Sequence, residues 1–160
     1  MKGQIFILGA LTLALAMLMF LPSVQKELYL PDLDNSVLEN IAGQYNYWLS
    51  YSSTDKTYDP MAFGRFVKEN YPYVEVFYVL KDGDKVYMAN FLSEPLNASI
   101  NGKDFLIEPN SVDNSTAHGN ITFQSDYRNF TYKPENSFSG AIFLRIKTSQ
   151  AELNEFKVYR

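Results

Sequence analysis

Cysteine is absent from the 160 residues, and histidine occurs once. Without thiols there is no disulfide, no thiolate nucleophile and no Cys-based zinc or iron–sulfur centre. A single histidine, His118, leaves no His-based metal set either, and its Ala117-His118-Gly119-Asn120 context reads as a solvated turn. Basic residues are outnumbered, 14 Lys and Arg against 18 Asp and Glu, for a formal charge of −4. A chain of that sign has no field on which to condense phosphate, so no nucleic-acid partner is expected. The motifs of catalysis are missing too: no Gly-rich phosphate loop, no H-E-x-x-H and no serine in G-x-S-x-G. Asp32-x-Asp34-x-Ser36 and Asp82-x-Asp84 carry oxygens suited to calcium, but neither has the glycine and terminal Glu of the known loop. A helix cap and a turn explain them. The expectation is a non-enzymatic protein with no cofactor and no metal site.

Charge is missing altogether from Ile5 to Leu21, where Thr12 is the one hydroxyl. As a helix rising about 1.5 Å per residue the run spans roughly 25 Å, the short end of what crosses a bilayer. It is apolar all round, so lipid or other apolar helices must surround it. Pro22 is a natural stop. Lys2 is the only charge ahead of the run, which keeps the short end in the cytoplasm and sends the rest out. A cleaved secretory signal is one reading, against which Pro22-Ser23-Val24-Gln25 makes a poor small-x-small site. A plain amino-terminal anchor is a second.

A third reading rests on Lys2-Gly3-Gln4, a basic residue and a glycine before a Gln and an unbroken apolar run. This start resembles the class III signal peptides of archaeal type IV pilin-like proteins. The resemblance implies cleavage after Gly3 by a prepilin peptidase on the cytoplasmic side, with Gln4 as the new amino terminus. It also implies that the hydrophobic helix is kept and packs with those of other pilin-like subunits. The family pattern continues Gln-x-Ser-x-Glu, and here Phe6 stands at the Ser position and Leu8 at the Glu position. The missing carboxylate is the group taken to pair with a neighbour's amino terminus, so the resemblance points to a minor subunit. Close packing in such a bundle falls to the small residues Gly9, Ala10, Ala14 and Ala16. The alternative is a membrane-anchored extracytoplasmic binding or adhesion domain that does not polymerise. Either way the partners are membrane lipid and, in the pilin reading, the peptidase and sister subunits. The protein is then at the cell surface or in a filament.

Beyond the run, residues 23–35 read as a linker and 36–160 as one extracellular domain, with 1–22 as signal or anchor. Ser36-x-x-Glu39 is a capping-box pattern, and Val37, Leu38, Ile41, Tyr45 and Trp48 recur at helical spacing, which predicts a helix over 37–50. Ser50 to Thr57 reads as a loop. Asp59-Pro60 starts a second helix with Ala62, Phe63, Phe66 and Val67 on one face, ended by Pro72. Gly43 and Gly64 each weaken a helix or allow a close approach. Residues 73–80 and 85–92, around Lys81-Asp82-Gly83-Asp84, form a hairpin, and Asn101-Gly102 marks another between 96–100 and 103–107. Strands are also expected within 119–131, over 140–148 and over 155–159. The predicted fold class is α+β: an N-terminal hydrophobic transmembrane helix, then two helices and an antiparallel sheet or sandwich of six to seven strands.

Aromatic residues are plentiful, with 12 Tyr, 12 Phe and one Trp. Tyr45, Tyr47, Tyr51 and Tyr58 could line a recognition surface, although large apolar bodies with polar tips also suit the core of a disulfide-free domain. Four N-x-[ST] acceptor sequences occur between residues 97 and 131, at Asn97, Asn114, Asn120 and Asn129. If the domain is exported, each is a candidate N-glycosylation site on a loop or strand edge.

Overall fold

The structure is a computed structural model describing residues 31–55, 58–147 and 151–160. Residues 35–160 form one compact unit. Helix α1 runs Pro31–Ser52 and helix α2 Ala62–Asn70. Nine strands follow: β1 Val74–Asp82, β2 Lys85–Phe91, β3 Leu96–Ile100, β4 Lys103–Ile107, β5 Ser111–Thr116, β6 Ile121–Ser125, β7 Phe130–Tyr132, β8 Phe138–Lys147 and β9 Glu152–Tyr159. They make two antiparallel sheets, one in the order β5-β2-β1-β8-β9 and one in the order β4-β3-β6-β7.

The predicted fold class is thereby corrected. Among the described residues neither helix is long and apolar enough to cross a membrane, and the sheet content is nine strands in two sheets. The apolar run of residues 5–21, to which the transmembrane helix was assigned, lies outside the described residues. So do the processing residues Lys2, Gly3 and Gln4 and the packing residues Gly9, Ala10, Ala14 and Ala16. One of the two extra strands comes from polar sequence: β5 (Ser-Val-Asp-Asn-Ser-Thr) has one apolar residue and is held by its ladder to β2. The 119–131 segment is two strands, because Ser125 turns the chain. Its hydroxyl accepts from the amides of Tyr127 (3.3 Å) and Arg128 (3.0 Å).

Helix α1 is longer than its apolar spacing predicts at both ends. Proline is tolerated in a first turn, so Pro31 can open the helix. Ser36 and Glu39 therefore lie inside the helix, not at its cap. At the other end the Ser50 hydroxyl donates to the Asn46 carbonyl (3.0 Å), and the Ser53 hydroxyl to that of Ser50 (2.7 Å). Serines that bond back to the helix let it continue where their composition suggests a loop. Helix α2 begins after Pro60. Asp59 still satisfies an early amide, accepting from Met61 N–H at 2.8 Å, and pairs with Arg65.

The five-stranded sheet is the middle of three layers. Val74, Val76, Tyr78 and Leu80 on β1, with Ile142, Leu144 and Ile146 on β8, face Leu38, Ile41 and Tyr45 of α1 and Phe63 and Val67 of α2. The alternate residues Phe77, Val79 and Phe143 face Leu96, Ile100, Ile121 and Phe123 of the four-stranded sheet. Burial on both faces is why β1 and β8 read as continuous apolar runs where a one-sided sheet alternates. Glycines permit two of the closest approaches. A Cβ on Gly64 would lie 1.9 Å from the Phe91 ring, and one on Gly140 would meet Tyr45 Oη at 2.4 Å and Val79 O at 2.7 Å. Hairpin β3–β4 closes through Asn101 and Gly102, both at positive φ (50° and 82°).

Candidate functional site

A polar cleft of about 390 Å³ opens where the end of α1, the start of β8 and the end of β9 meet. Asn46, Ser50 and Ser53 line one wall, Asn136, Ser137 and Ser139 the other, with Phe138 and Tyr159 between. Its described lining residues offer carboxamides, hydroxyls and Arg160, and none of them is a histidine, aspartate, glutamate or lysine. The helix serines already donate to backbone carbonyls, Asn136 Nδ2 donates to Arg160 O (3.2 Å), and Ser139 shares a 3.3 Å hydrogen bond with Tyr132. Tyr159 donates to Ala42 O at 2.7 Å. Among the described lining residues no general base stands beside the serine hydroxyls. The cleft can hold a small polar group by hydrogen bonds and apolar contact.

The densest ionised cluster seals one end of the space between the sheets. Arg145 on β8 is only 3% exposed. Its Nε donates to Glu75 Oε2 (2.7 Å) and its terminal nitrogen to Glu94 Oε1 (2.9 Å), while the guanidinium stacks 4.9 Å from the Tyr127 ring centre. Tyr127 donates to Glu94 (2.5 Å), and the amide of Ser93 donates to Glu75 Oε1 (2.9 Å). Burial alone would raise the Glu75 carboxyl, but the hydrogen bonds from Ser93 and Arg145 outweigh it and hold the group below the ordinary carboxylate range. Burial and the bond to Glu94 push the Tyr127 hydroxyl up. Both carboxylates and the guanidinium are used within the cluster, so it reads as a plug of the core.

The remaining candidates are scattered. Tyr45 is in the core, donating to Val79 O at 3.0 Å. Tyr58 is half-buried and donates to Asp82 (2.9 Å). Only Tyr47 and Tyr51, one turn apart on α1, are left outside, at 75% and 62% exposure. The four tyrosines therefore do not form one surface. His118 is exposed, with Nδ1 3.0 Å from Asp84. Asp82 and Asp84 are thus turned to different partners, and no group of three ligand-type side chains converges among the described residues. Asp32 and Asp34 fall in helix α1 instead of a loop. Asn97, Asn114, Asn120 and Asn129 are all exposed. The Arg145 cluster was not legible beforehand: Glu75, Glu94, Tyr127 and Arg145 are far apart in the chain and share no motif. The one signal was a lone arginine in the apolar run Ala141–Ile146. Comparison of the chain with protein-family models, curated proteins and solved structures gives no match.

Proposed function

We propose that this is a non-enzymatic cell-surface protein, a minor type IV pilin-like subunit whose 35–160 unit is displayed outside the cytoplasm. The observation that carries the reading is Lys2-Gly3-Gln4 directly before the uncharged run Ile5–Leu21. That run is the segment that holds the protein at the membrane. Two features of the described unit support a display role over a chemical one. Its cleft offers hydrogen bonds with no general base among the described lining residues, and its ionised cluster is consumed internally. One observation favours an anchored binding domain that does not polymerise: Leu8 stands where the family has its assembly carboxylate, while a polar cleft is present.

Intact mass and amino-terminal sequencing of the protein from its native membrane test the proposal. A mature chain starting at Gln4 is the expected result. A start at Met1 overturns pilin-type processing and leaves the anchored binding domain. A start near Gln25 overturns both, because the apolar run is then a removed secretory signal.

A further inference from the structure

An N-x-[ST] triplet has the same period as a β-strand. On a strand its Asn and its hydroxyl share one face, and the middle residue points to the other. Asn97-Ala98-Ser99 lies on β3 in that phase, and Asn120 and Asn129 stand immediately before β6 and β7, whose first residues continue it. The middle residues of these three triplets, Ala98, Ile121 and Phe130, pack into the core between the sheets. Asn97, Thr122 and Thr131 then belong to the opposite, outer face, with Asn120 and Asn129 exposed beside it; Ser99 is in the same phase but buried, and Asn97 Nδ2 donates to Asp126 (2.9 Å). The Thr131 hydroxyl donates to that of Thr122 (3.2 Å), across the β6–β7 ladder. Asn114 is elsewhere, on edge strand β5 of the other sheet.

The outer face has two further properties. Ser99, Gln124, Thr122 and Thr131 give it an uncharged row across β3, β6 and β7, with Asp104 of β4 opposite Ser99. And Leu106, 59% exposed, sits directly across from Asn97 on β4. Neighbouring strands are about 4.8 Å apart and residues rise about 3.3 Å, so the registers place the three asparagines on the order of 12 Å from their neighbours. That leaves room for a sugar chain on each.

We infer that the outer face of the four-stranded sheet is a glycan-bearing face, N-glycosylated at Asn97, Asn120 and Asn129. The donor class is an oligosaccharide activated through its anomeric carbon by a lipid phosphate. Asn Nδ2 forms the new bond to that carbon and gives up one proton. The carbon–oxygen bond to the phosphate breaks, and the phosphate leaves with the electron pair. A first sugar on Asn97 covers Leu106, and the three chains together exclude protein contact from this face. Subunit or partner contacts are then left to the helical layer and the sheet edges.

The inference rests on the export reading above, and the experiment separates the two. The full-length protein is produced in its native host, intact cells are treated with protease, and tryptic glycopeptides are sequenced by mass spectrometry. The expected result is a protease-accessible domain carrying sugar mass at Asn97, Asn120 and Asn129. Each of N97Q, N120Q and N129Q should remove one increment while the domain stays folded. An accessible domain whose three sites are all unmodified, or one modified at Asn114 alone, overturns the glycan face and leaves the export reading standing. A domain protected from protease in intact cells overturns export, and the glycan face with it.

Discussion

Single atoms decide several outcomes. The Gly64 position has no room: a Cβ there would meet the Phe91 ring at 1.9 Å, whereas one on Gly43 meets nothing within 4 Å. Gly64→Ala should cost about 1–3 kcal/mol by overpacking. Gly43→Ala should add up to about 1 kcal/mol through helix propensity. Urea unfolding of the two variants checks the pair, and equal midpoints would contradict the packing described. Ser52 offers a different case. Its side chain is buried and Oγ has no hydrogen-bond partner among the described residues. Removing an unsatisfied buried hydroxyl is favourable, so Ser52→Ala should stabilise by about 1 kcal/mol. A lower melting temperature would show that the hydroxyl is satisfied. From the residues alone, glycine at both helix positions looked equivalent. The difference lies in Phe91, a neighbour distant in the chain and close in space.

Among the elements, β8 carries the most. It pairs with β1 and β9, buries residues on both faces, and places Arg145 beside Glu75 in register. Arg145→Ala leaves Glu75 without its cation and should cost about 3 kcal/mol or more in urea unfolding. Arg145→Met, which fills the space but not the charge, should cost no less, since the carboxylate is still stranded. The double change Arg145→Met with Glu75→Gln should recover part of the loss. The same pair sets an acid limb. Glu75 titrates below its ordinary value of 4.5 in the folded state, so the unfolded chain binds the proton more readily there. Its contribution is complete above about pH 5 and is lost as pH falls through the lower folded value. Stability measured against pH should therefore fall less steeply below pH 4.5 in Glu75→Gln than in the parent. An unchanged slope would mean that the carboxylate is not held by Ser93 and Arg145. Element identity was legible where periodicity or a turn signal was strong, as at Gly83-Asp84 and Asn101-Gly102. It failed at β5, where one valine among polar residues gives no pattern and pairing to β2 supplies the order.

For the whole molecule, the shared middle sheet joins two apolar cores into one cooperative body. Trp48 stacks on Tyr45 (5.8 Å) in the helical layer and reports on that side. Ile121 is buried on the other side, among the side chains between the sheets. Ile121→Val should lower stability by about 1 kcal/mol. The shift should appear equally in Trp48 fluorescence and far-UV circular dichroism, because Phe77 and Tyr78 are adjacent residues of one strand serving opposite cores. Non-coincident transitions would mean that the layers unfold separately. The sequence by itself determined the local matters: the missing thiols and the single histidine, the uncharged amino-terminal run, the two glycine-containing hairpin turns and the apolar stripes of the helices. Each of these follows from the chemistry of near neighbours. The tertiary structure alone decided that the strands divide into two sheets and that Tyr45 is core while Tyr47 is surface. It also decided that Arg145 meets two acids and that three of the acceptor sequences lie on or beside one sheet. Those outcomes depend on register and burial between segments far apart in the chain, and no local pattern encodes which partner a strand will find.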